Sequence, residues 1–344
     1  MLSVWRSSRR ILLFGSGVFK RVLIVVFGTA ALVGGVLAVS QRPPVPIPAD
    51  NPQTPAKIEL GRKLFYDQRL SADNTVACAS CHKPEFAFSD GGNAVSTGIG
   101  GQKGTRNAPT LTNVGYRQGL FWEGRSPRLE MQAVGPLTAH DEMGMQPDEL
   151  AKKLDAIPEY ARAFREVFGE APTLKTTAYA LAAFQRTLLS YNSPFDRYQA
   201  GDDKAISEAA LRGMELFFGE KGDCFHCHVG SEFTDDEPRN TGLYTVYEDI
   251  GLARATGKDE DVGKFKTPTL RNVALTAPYM HDGSIKTLRD AVMHYNRGGE
   301  PNLNADALIR PLGLTDEEVD DLVAFLKSLT DQSFTTNPAY LPPR

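Results

Sequence analysis

All four cysteines of the chain lie in two short stretches, and each stretch has a histidine directly after its second cysteine. The stretches are Cys78-Ala-Ser-Cys81-His82 and Cys224-Phe-His-Cys227-His228. Two thiols at this spacing can form thioethers with both vinyl groups of a porphyrin, and the next imidazole then ligates the iron. A zinc site or a redox dithiol can also use C-x-x-C, but neither requires the adjacent histidine. The motifs therefore predict two covalently bound c-type haems, with His82 and His228 as proximal ligands.

The residues after the first motif decide whether its haem can act on a substrate, because catalysis needs an open iron face and a positioned acid or base. No histidine occurs between His82 and His140, and the first methionine in this interval is Met131. The sequence thus offers no nearby strong sixth ligand for the first haem. The polar and aromatic side chains that follow the motif include Trp122, Gln132 and Glu142.

The 344-residue chain has the composition of a soluble globular protein, with 41% hydrophobic and 23% charged residues. This length accommodates an export or membrane segment and two domains of ordinary size. The net charge of -4 and the isoelectric point near 5.9 argue against nucleic acid and anionic membrane surfaces as partners.

The N-terminal segment differs from the rest of the chain. Five basic residues between Arg6 and Arg21 precede residues 22–39, which carry no charge. Such a pattern directs the basic end to the cytoplasm and sends the following chain across the membrane. The apolar run is slightly shorter than the roughly 20 residues of a spanning helix. Residues 1–40 are therefore either an uncleaved signal-anchor in the inner membrane or a signal peptide cleaved after Ser40, and the rest of the chain is expected in the periplasm.

The remaining sequence predicts a mainly α fold. Apolar spacing indicates a helix just before the first haem motif and two longer helices at residues 147–168 and 174–191. Thr315-Asp-Glu-Glu318 has the form of a capping box and begins a last amphipathic helix. Strands and helices do not alternate, which argues against an α/β sheet. The helices are separated by long loops rich in glycine and proline, notably residues 91–119 and 229–268.

An internal repeat accompanies the two haem motifs. Gly61-Arg-Lys-Leu-Phe-Tyr66 precedes the first motif, and Gly213-Met-Glu-Leu-Phe-Phe218 precedes the second. Downstream, Pro109-Thr-Leu-Thr-Asn113 matches Pro268-Thr-Leu-Arg-Asn272 at an offset of 159 residues. Two duplicated one-haem domains explain both matches.

These motifs together resemble the bacterial di-haem cytochrome c peroxidase family, which also contains the MauG-type enzymes of quinone-cofactor maturation. The resemblance covers about residues 55–335. It implies two duplicated c-type cytochrome domains with their haems on either side of the domain interface. Besides the haem motifs, the matching stretches are Asn107-Ala-Pro-Thr110, Phe121-Trp-Glu-Gly-Arg125, Gln132-Ala-Val-Gly-Pro136, Glu142-Met143, residues 270–279 and residues 322–330.

The N-terminal pattern, the proline content and the resemblance together suggest how the chain is divided. We expect an N-terminal signal-anchor at 1–40, a proline-rich linker at 41–55, an N-terminal peroxidatic haem domain at 56–200, a C-terminal electron-transfer haem domain at 201–334 and a tail at 335–344.

Roles for individual residues follow from the family pattern. Glu142 matches the distal acid/base of the first haem, Gln132 its neighbouring amide, and Trp122 the tryptophan between the haems. A calcium ion at the domain interface is also implied, with hard oxygen ligands of the kind that calcium prefers. The matching ligands are Asn107 and, through their backbone carbonyls, Thr276 and Pro278.

The chain departs from the best-known peroxidases of the family at two positions. Those enzymes carry a histidine in the glycine-rich loop after the first haem, whereas residues 97–102 here contain none. Their second haem has a distal methionine, and the matching residue here is Tyr295, as in MauG-type proteins. Met293 and Met280 are the alternative ligands of the second haem.

The resemblance favours an enzyme that reduces hydrogen peroxide with electrons from a small periplasmic cytochrome c or copper protein. The alternative is a MauG-like enzyme that oxidises tryptophan residues of a partner protein to build a quinone cofactor. A non-catalytic di-haem electron carrier is a third interpretation, which a rapid reaction with peroxide would exclude.

Overall fold

The computed structural model describes residues 44–343. The predicted signal-anchor at 1–40, with its apolar run at 22–39, lies outside the described residues. Within them, no helix combines the length and the apolar character needed to cross a membrane.

The described part of the chain is mainly helical, with thirteen α-helices and one antiparallel pair of two-residue strands. The helices are α1 (Pro55–Tyr66), α2 (Cys78–Cys81), α3 (Leu129–Gln132), α4 (Val134–Thr138), α5 (Pro147–Asp155), α6 (Pro158–Phe168), α7 (Leu174–Gln185), α8 (Pro194–Gln199), α9 (Glu208–Phe218), α10 (Ala253–Thr256), α11 (Leu288–Arg297), α12 (Asp316–Ser328) and α13 (Gln332–Thr336). The strands are β1 (Pro238–Arg239) and β2 (Phe265–Lys266).

The same close helix crossing occurs once in each half. Helix α1 crosses α7 at Gly61, where an added Cβ would lie 1.9 Å from the carbonyl oxygen of Ala180. Helix α9 crosses α12 at Gly213, where a Cβ would lie 1.9 Å from the carbonyl oxygen of Asp321. Only glycine permits backbones to approach this closely. Each crossing lies within its own cluster of buried apolar side chains, so the duplication seen in the sequence is also a duplication of two cores.

The loops repeat as well as the helices. Asn113 and Asn272 are both fully buried, and both have a left-handed backbone, with φ of 54° and 61°. The amide oxygen of Asn113 accepts from the Ser190 backbone N–H at 2.8 Å, and that of Asn272 accepts from Asp331 at 2.8 Å. Each asparagine thereby ties the loop after a haem motif to the end of the long helix in its half. A 3₁₀ turn follows each asparagine.

Two predicted helices differ from the observed ones. The helix expected over 147–168 is divided, because α5 ends at Asp155 and α6 begins at Pro158. Proline has no N–H to donate and disfavours helical backbone in the residue before it, which explains the break. The helix expected over 174–191 ends at Gln185. The capping box at Thr315 is confirmed, since its hydroxyl accepts from the Glu318 N–H while the Glu318 carboxylate accepts from the Thr315 N–H.

Both ends of the described chain pack on the first core. Residues 44–54 form no helix and run along the domain, where Asn51 is fully buried. At the other end, the ring of Phe334 packs 5.6 Å from that of Phe88, and the Tyr66 hydroxyl donates to the Tyr340 carbonyl at 2.5 Å. The first half therefore takes part of its core from the last residues of the chain.

Candidate functional site

Each haem motif orients its histidine through the backbone. The Nδ1 of His82 lies 2.8 Å from the Phe88 carbonyl oxygen, and the Nδ1 of His228 lies 2.9 Å from that of Phe233. Both phenylalanines have positive φ, 60° and 51°, an uncommon conformation that turns the carbonyl toward the ring. An Nδ1–H that donates to a carbonyl leaves Nε2 free to bind a metal.

The environment keeps both histidines neutral. Burial lowers the pKa of His82 and of His228, and the nearby carbonyls only partly oppose this shift. A neutral imidazole is the form that ligates iron. All four cysteines are unpaired, so they are available for thioether bonds. The two motifs thus have the side chains and the ring orientation that a c-type haem requires.

The first motif opens into a cavity of about 610 Å³. This volume lies within the range of roughly 300–1,000 Å³ of cofactor pockets. Among the lining residues are Cys78, Cys81 and His82, together with the three predicted residues Trp122, Gln132 and Glu142. The fold therefore brings the predicted distal residues to the first haem motif.

Glu142 is partly buried in this cavity. Burial raises the pKa of its carboxyl group, the neighbouring Asp141 raises it further, and the Arg125 guanidinium lowers it. A carboxyl pKa above its usual value is better suited to proton transfer near neutral pH. Glu142 is thus an acid/base candidate by geometry and by environment.

Gln132 is the last residue of α3, and that short helix is held by a buried ion pair. The Glu130 carboxylate accepts from Arg186 at 2.8 Å and from the Asn51 amide at 2.7 Å. Burial alone would raise the pKa of Glu130, but these hydrogen bonds hold it at about 2. The pair fixes the helix that carries Gln132, and sequence reasoning did not identify it because its members lie far apart in the chain.

The loop at residues 97–102 packs against the segment that carries Glu142. The Ile99 N–H donates to the Glu142 carbonyl at 2.9 Å, and a Cβ on Gly98 would lie 2.0 Å from the Asp141 carbonyl oxygen. Residues 97–102 therefore form a histidine-free turn that is fixed beside the cavity.

Trp122 is held between the two halves. Its indole Nε1–H donates to the Asn107 carbonyl at 2.7 Å, and its own carbonyl accepts from the Lys266 N–H at 2.7 Å. Lys266 belongs to β2 in the C-terminal half, so the tryptophan bridges the halves through backbone hydrogen bonds.

The predicted calcium ligands lie where loops of the two halves meet. The Asn107 N–H donates to the His281 carbonyl at 2.7 Å, and the Gly92 N–H donates to the Ala277 carbonyl at 3.0 Å. The Asn107 side-chain amide donates to the Asn93 and Ala94 carbonyls, which turns its oxygen away from them. Within residues 44–343, no group of three or more His, Cys, Asp or Glu side chains is arranged to hold a metal ion.

Tyr295 lies near the second haem motif. Burial raises the pKa of its phenol, and the sulfurs of Cys227 and Cys224 act in the same direction. Met293 packs against the apolar core of the C-terminal half, as Cys224 of the motif also does.

A charged network at the first cavity was missed by the sequence reasoning. Arg106 donates to Asp249 through Nε at 2.6 Å and through Nη2 at 2.8 Å, and it also bonds the buried Glu123. Glu123 in turn pairs with Arg125, whose guanidinium stacks on the Phe121 ring. The sequence gives no signal for this network, because Asp249 is 143 residues away from Arg106.

Fold and sites together define a helical protein with two c-type haem sites in duplicated halves, the first beside an open cavity with an acid. Residues 55–204 match the sequence model described as di-haem cytochrome c peroxidase, and residues 210–330 match that of cytochrome c. The chain therefore belongs to the di-haem cytochrome c peroxidase family, with c-type haems as its cofactors, which confirms the sequence-based prediction.

Individual relatives agree with this assignment. The chain is 41% identical to cytochrome-c peroxidase IdrP1 of Denitromonas iodatirespirans, over 84% of this chain and 85% of that protein. It is 39% identical to methylamine utilization protein MauG of Methylorubrum extorquens, over 87% and 85%. A crystal structure of a MauG-like protein associated with microbial copper homeostasis superimposes with a TM-score of 0.83 at 39% identity, covering 88% of this chain and 97% of that one.

Proposed function

We propose that the protein is a di-haem c-type peroxidase that reduces hydrogen peroxide to water with electrons from a small redox protein. The proposal rests on the position of Glu142. This partly buried acid lines the same cavity as Cys78, Cys81 and His82. An electron carrier needs no acid beside an open iron face, whereas peroxide cleavage needs one.

The reaction consumes two electrons and two protons for each hydrogen peroxide and yields two water molecules. A haem bound at the first motif would supply the iron that binds peroxide and delivers electrons to it. Glu142 would accept a proton from one peroxide oxygen and donate it to the other, which would leave as water when the O–O bond breaks. Gln132 orients the peroxide through its amide, which can donate and accept hydrogen bonds but cannot relay a proton as a carboxylate does.

Trp122 is proposed as the route for electrons between the two haem sites. Its indole and its carbonyl are held by hydrogen bonds to Asn107 and Lys266, one from each half. A fixed aromatic ring between the halves keeps the electron-transfer distance constant during turnover. The donor at the second haem would be a small cytochrome c or copper protein.

Tyr295 is proposed as the distal ligand of the second haem. The phenol lies near Cys224 and Cys227 of the second haem motif. A tyrosine oxygen favours higher iron oxidation states than a thioether does. This feature also supports a second function, the oxidation of tryptophan residues in a partner protein to build a quinone cofactor, as in MauG-type enzymes.

A calcium ion bound by Asn107 and by the carbonyls of Thr276 and Pro278 is also proposed, since these oxygens belong to loops that meet at the interface of the halves. The globular part would work in the periplasm, where its bacterial relatives are generally found. Residues 1–40 would deliver it there and, if retained, would anchor it in the inner membrane.

Steady-state turnover with hydrogen peroxide and a reduced cytochrome c or copper protein tests the proposal. Fast turnover supports the peroxidase. Slow turnover together with a rapid reaction between the isolated protein and peroxide supports the protein-modifying enzyme. The absence of any peroxide reaction would leave only electron transfer.

A further inference from the structure

The wall of the first cavity contains two buried basic side chains, one from each half of the chain. Arg117 and Lys266 line the same cavity as His82. Their side chains are only 6% and 14% exposed. They are close enough that the charge of Arg117 lowers the pKa of Lys266, although burial is the larger cause and Asp236 opposes both.

These two side chains have hydrogen-bond donors that the protein itself does not satisfy. Arg117 donates through Nη2 to Glu232 at 2.9 Å, but its Nε and Nη1 are buried without a partner. The Asp236 carboxylate is 3.6 Å from Nη1, beyond hydrogen-bond length. Lys266 has one long contact of 3.4 Å to the same carboxylate. Buried charged groups with unused donors are destabilising. The unused donors of Arg117 and Lys266 are therefore satisfied only when a hydrogen-bond acceptor occupies the cavity.

The other described basic residues of the cavity wall do not share this property. Arg106 is bound by Asp249 and Glu123, and Arg125 is bound by Glu123. Arg254 is 66% exposed, so water can satisfy it. Among the described basic residues of this wall, buried donors without a partner thus occur on Arg117, and Lys266 beside it makes one long hydrogen bond.

We propose that Arg117 and Lys266 bind the propionate carboxylates of the haem attached at Cys78 and Cys81. Propionates are the anionic groups of a haem, and a guanidinium presents paired N–H groups that match a carboxylate. The free Nε and Nη1 of Arg117 lie on different sides of the guanidinium, so each can donate a separate hydrogen bond to a carboxylate oxygen, and Lys266 adds a point charge beside them. The inference rests on a c-type haem at the first motif and does not depend on peroxide chemistry.

This arrangement has an electrostatic consequence for the iron. A fixed positive charge near the haem disfavours the ferric state relative to the ferrous state and so raises the reduction potential. Lys266 also donates its backbone N–H to the Trp122 carbonyl. The same residue therefore links the propionates of the first haem to the tryptophan between the halves.

The test compares Lys266→Met with Arg254→Met. Both substitutions remove one positive charge from the wall of the same cavity, but only the first removes a buried donor. Because thioethers hold the haem covalently, both variants are expected to retain it. The readouts are the reduction potential of the first haem, by spectroelectrochemistry, and the propionate bending modes, by resonance Raman spectroscopy. Neither measurement uses peroxide, so a failed peroxidase assay would not affect the result.

We expect Lys266→Met to lower the reduction potential of the first haem by about 59 mV, which corresponds to a tenfold change in the ferric-to-ferrous ratio for one electron. The propionate modes should shift as well. Arg254→Met should leave both readouts unchanged. Lys266→Arg keeps the charge and the donors, so both readouts should stay near those of the unmodified protein. An equal change in the two Met variants, or unshifted propionate modes in Lys266→Met, would overturn the proposal.

A second variant covers the case in which Lys266→Met does not fold. Arg117→Lys keeps the charge and the pairing with Glu232 but removes the unused Nε and Nη1 donors. It should shift the propionate modes while leaving the reduction potential near that of the unmodified protein. Unchanged propionate modes in Arg117→Lys would contradict propionate binding by the guanidinium. Water would then be the partner of the free Arg117 donors.

Discussion

Glu142 combines two properties at the scale of a single side chain: it reaches the first haem cavity, and its pKa is raised by burial. Replacing it by glutamine keeps the shape and removes the proton relay. We expect Glu142→Gln to retain both haems and to lose about 10²–10⁴-fold in the rate of peroxide cleavage, measured by stopped-flow spectroscopy. Asp141→Asn is the matched control, because that neighbouring side chain is 42% exposed. A similar loss in both variants would mean that Glu142 has been misassigned.

The same side chain predicts the pH dependence of the reaction. Only the ionised carboxylate can accept the peroxide proton, so the rate should rise with pH through the raised pKa of Glu142 and then level off. Because the Arg125 guanidinium lowers this pKa, Arg125→Gln should move the inflection to higher pH. An inflection that stays in place would show that another group controls the profile.

Tyr295 gives a second prediction at this scale. Tyr295→Phe removes the oxygen but little volume, so the fold should survive while the spectrum of the second haem changes. Tyr295→Met should raise the reduction potential of that haem, because thioether sulfur favours ferrous iron. Absorption and magnetic circular dichroism spectra of the ferric proteins provide the measurement. A methionine–iron charge-transfer band in the unmodified protein that persists in Tyr295→Phe would assign the ligand to a methionine instead.

At the scale of elements, the turn at residues 97–102 offers no histidine ligand to the first haem. It contains no histidine and is fixed against the Glu142 segment by the Ile99 N–H and by the close approach at Gly98. We therefore expect a high-spin first haem and a reaction of the all-ferric protein with peroxide without prior reduction. Electron paramagnetic resonance and stopped-flow mixing test this. Two low-spin ferric haems that do not react with peroxide until one electron is added would refute the prediction of a high-spin first haem.

The helix crossings give the prediction for stability. In Gly213→Ala the new Cβ would lie 1.9 Å from the Asp321 carbonyl oxygen, so α9 and α12 must move apart. Overpacking of this kind costs about 1–3 kcal/mol, more than the roughly 1 kcal/mol that alanine gains over glycine in a helix. Chemical denaturation should show a net loss for Gly213→Ala, with Glu215→Ala on the exposed side of α9 as control. A stabilised Gly213→Ala would mean that the crossing is not tight.

At the scale of the whole molecule, Trp122 connects the halves. We expect Trp122→Phe to leave the first reaction with peroxide intact and to slow electron transfer between the haems by at least about tenfold, because the smaller ring cannot donate to Asn107. Stopped-flow spectra that follow both haems separate the two steps. Trp122→His keeps a ring donor and serves as the comparison. Equal inter-haem rates in all three proteins would assign the electron route elsewhere.

The sequence predicted the features that are local or repeated. The haem motifs, the capping box at Thr315 and the duplicated segments at Gly61 and Gly213 each lie within a few consecutive residues, so their physical meaning can be read directly. The family resemblance extended this to Glu142, which lines the cavity that contains the first haem motif.

Other features could not be predicted, because they depend on distant segments meeting in the fold. Arg106 and Asp249 are 143 residues apart, and Arg117 meets Glu232 over 115 residues. The break before Pro158 is different, because the proline is a local signal for it. The apolar pattern of residues 147–168 nevertheless led to the prediction of one continuous helix.

The return of the C-terminal residues to the first core affects the order of folding. Phe334 and Tyr340 belong to the same buried cluster as Leu64 and Phe88, more than 240 residues earlier. During synthesis, the first half is available long before its last core residues, and such distant contacts form slowly. The core of the first half therefore cannot be completed until Phe334 and Tyr340 have been synthesised. A protein truncated before Phe334 would have a gap in the core of the half that carries the first haem motif.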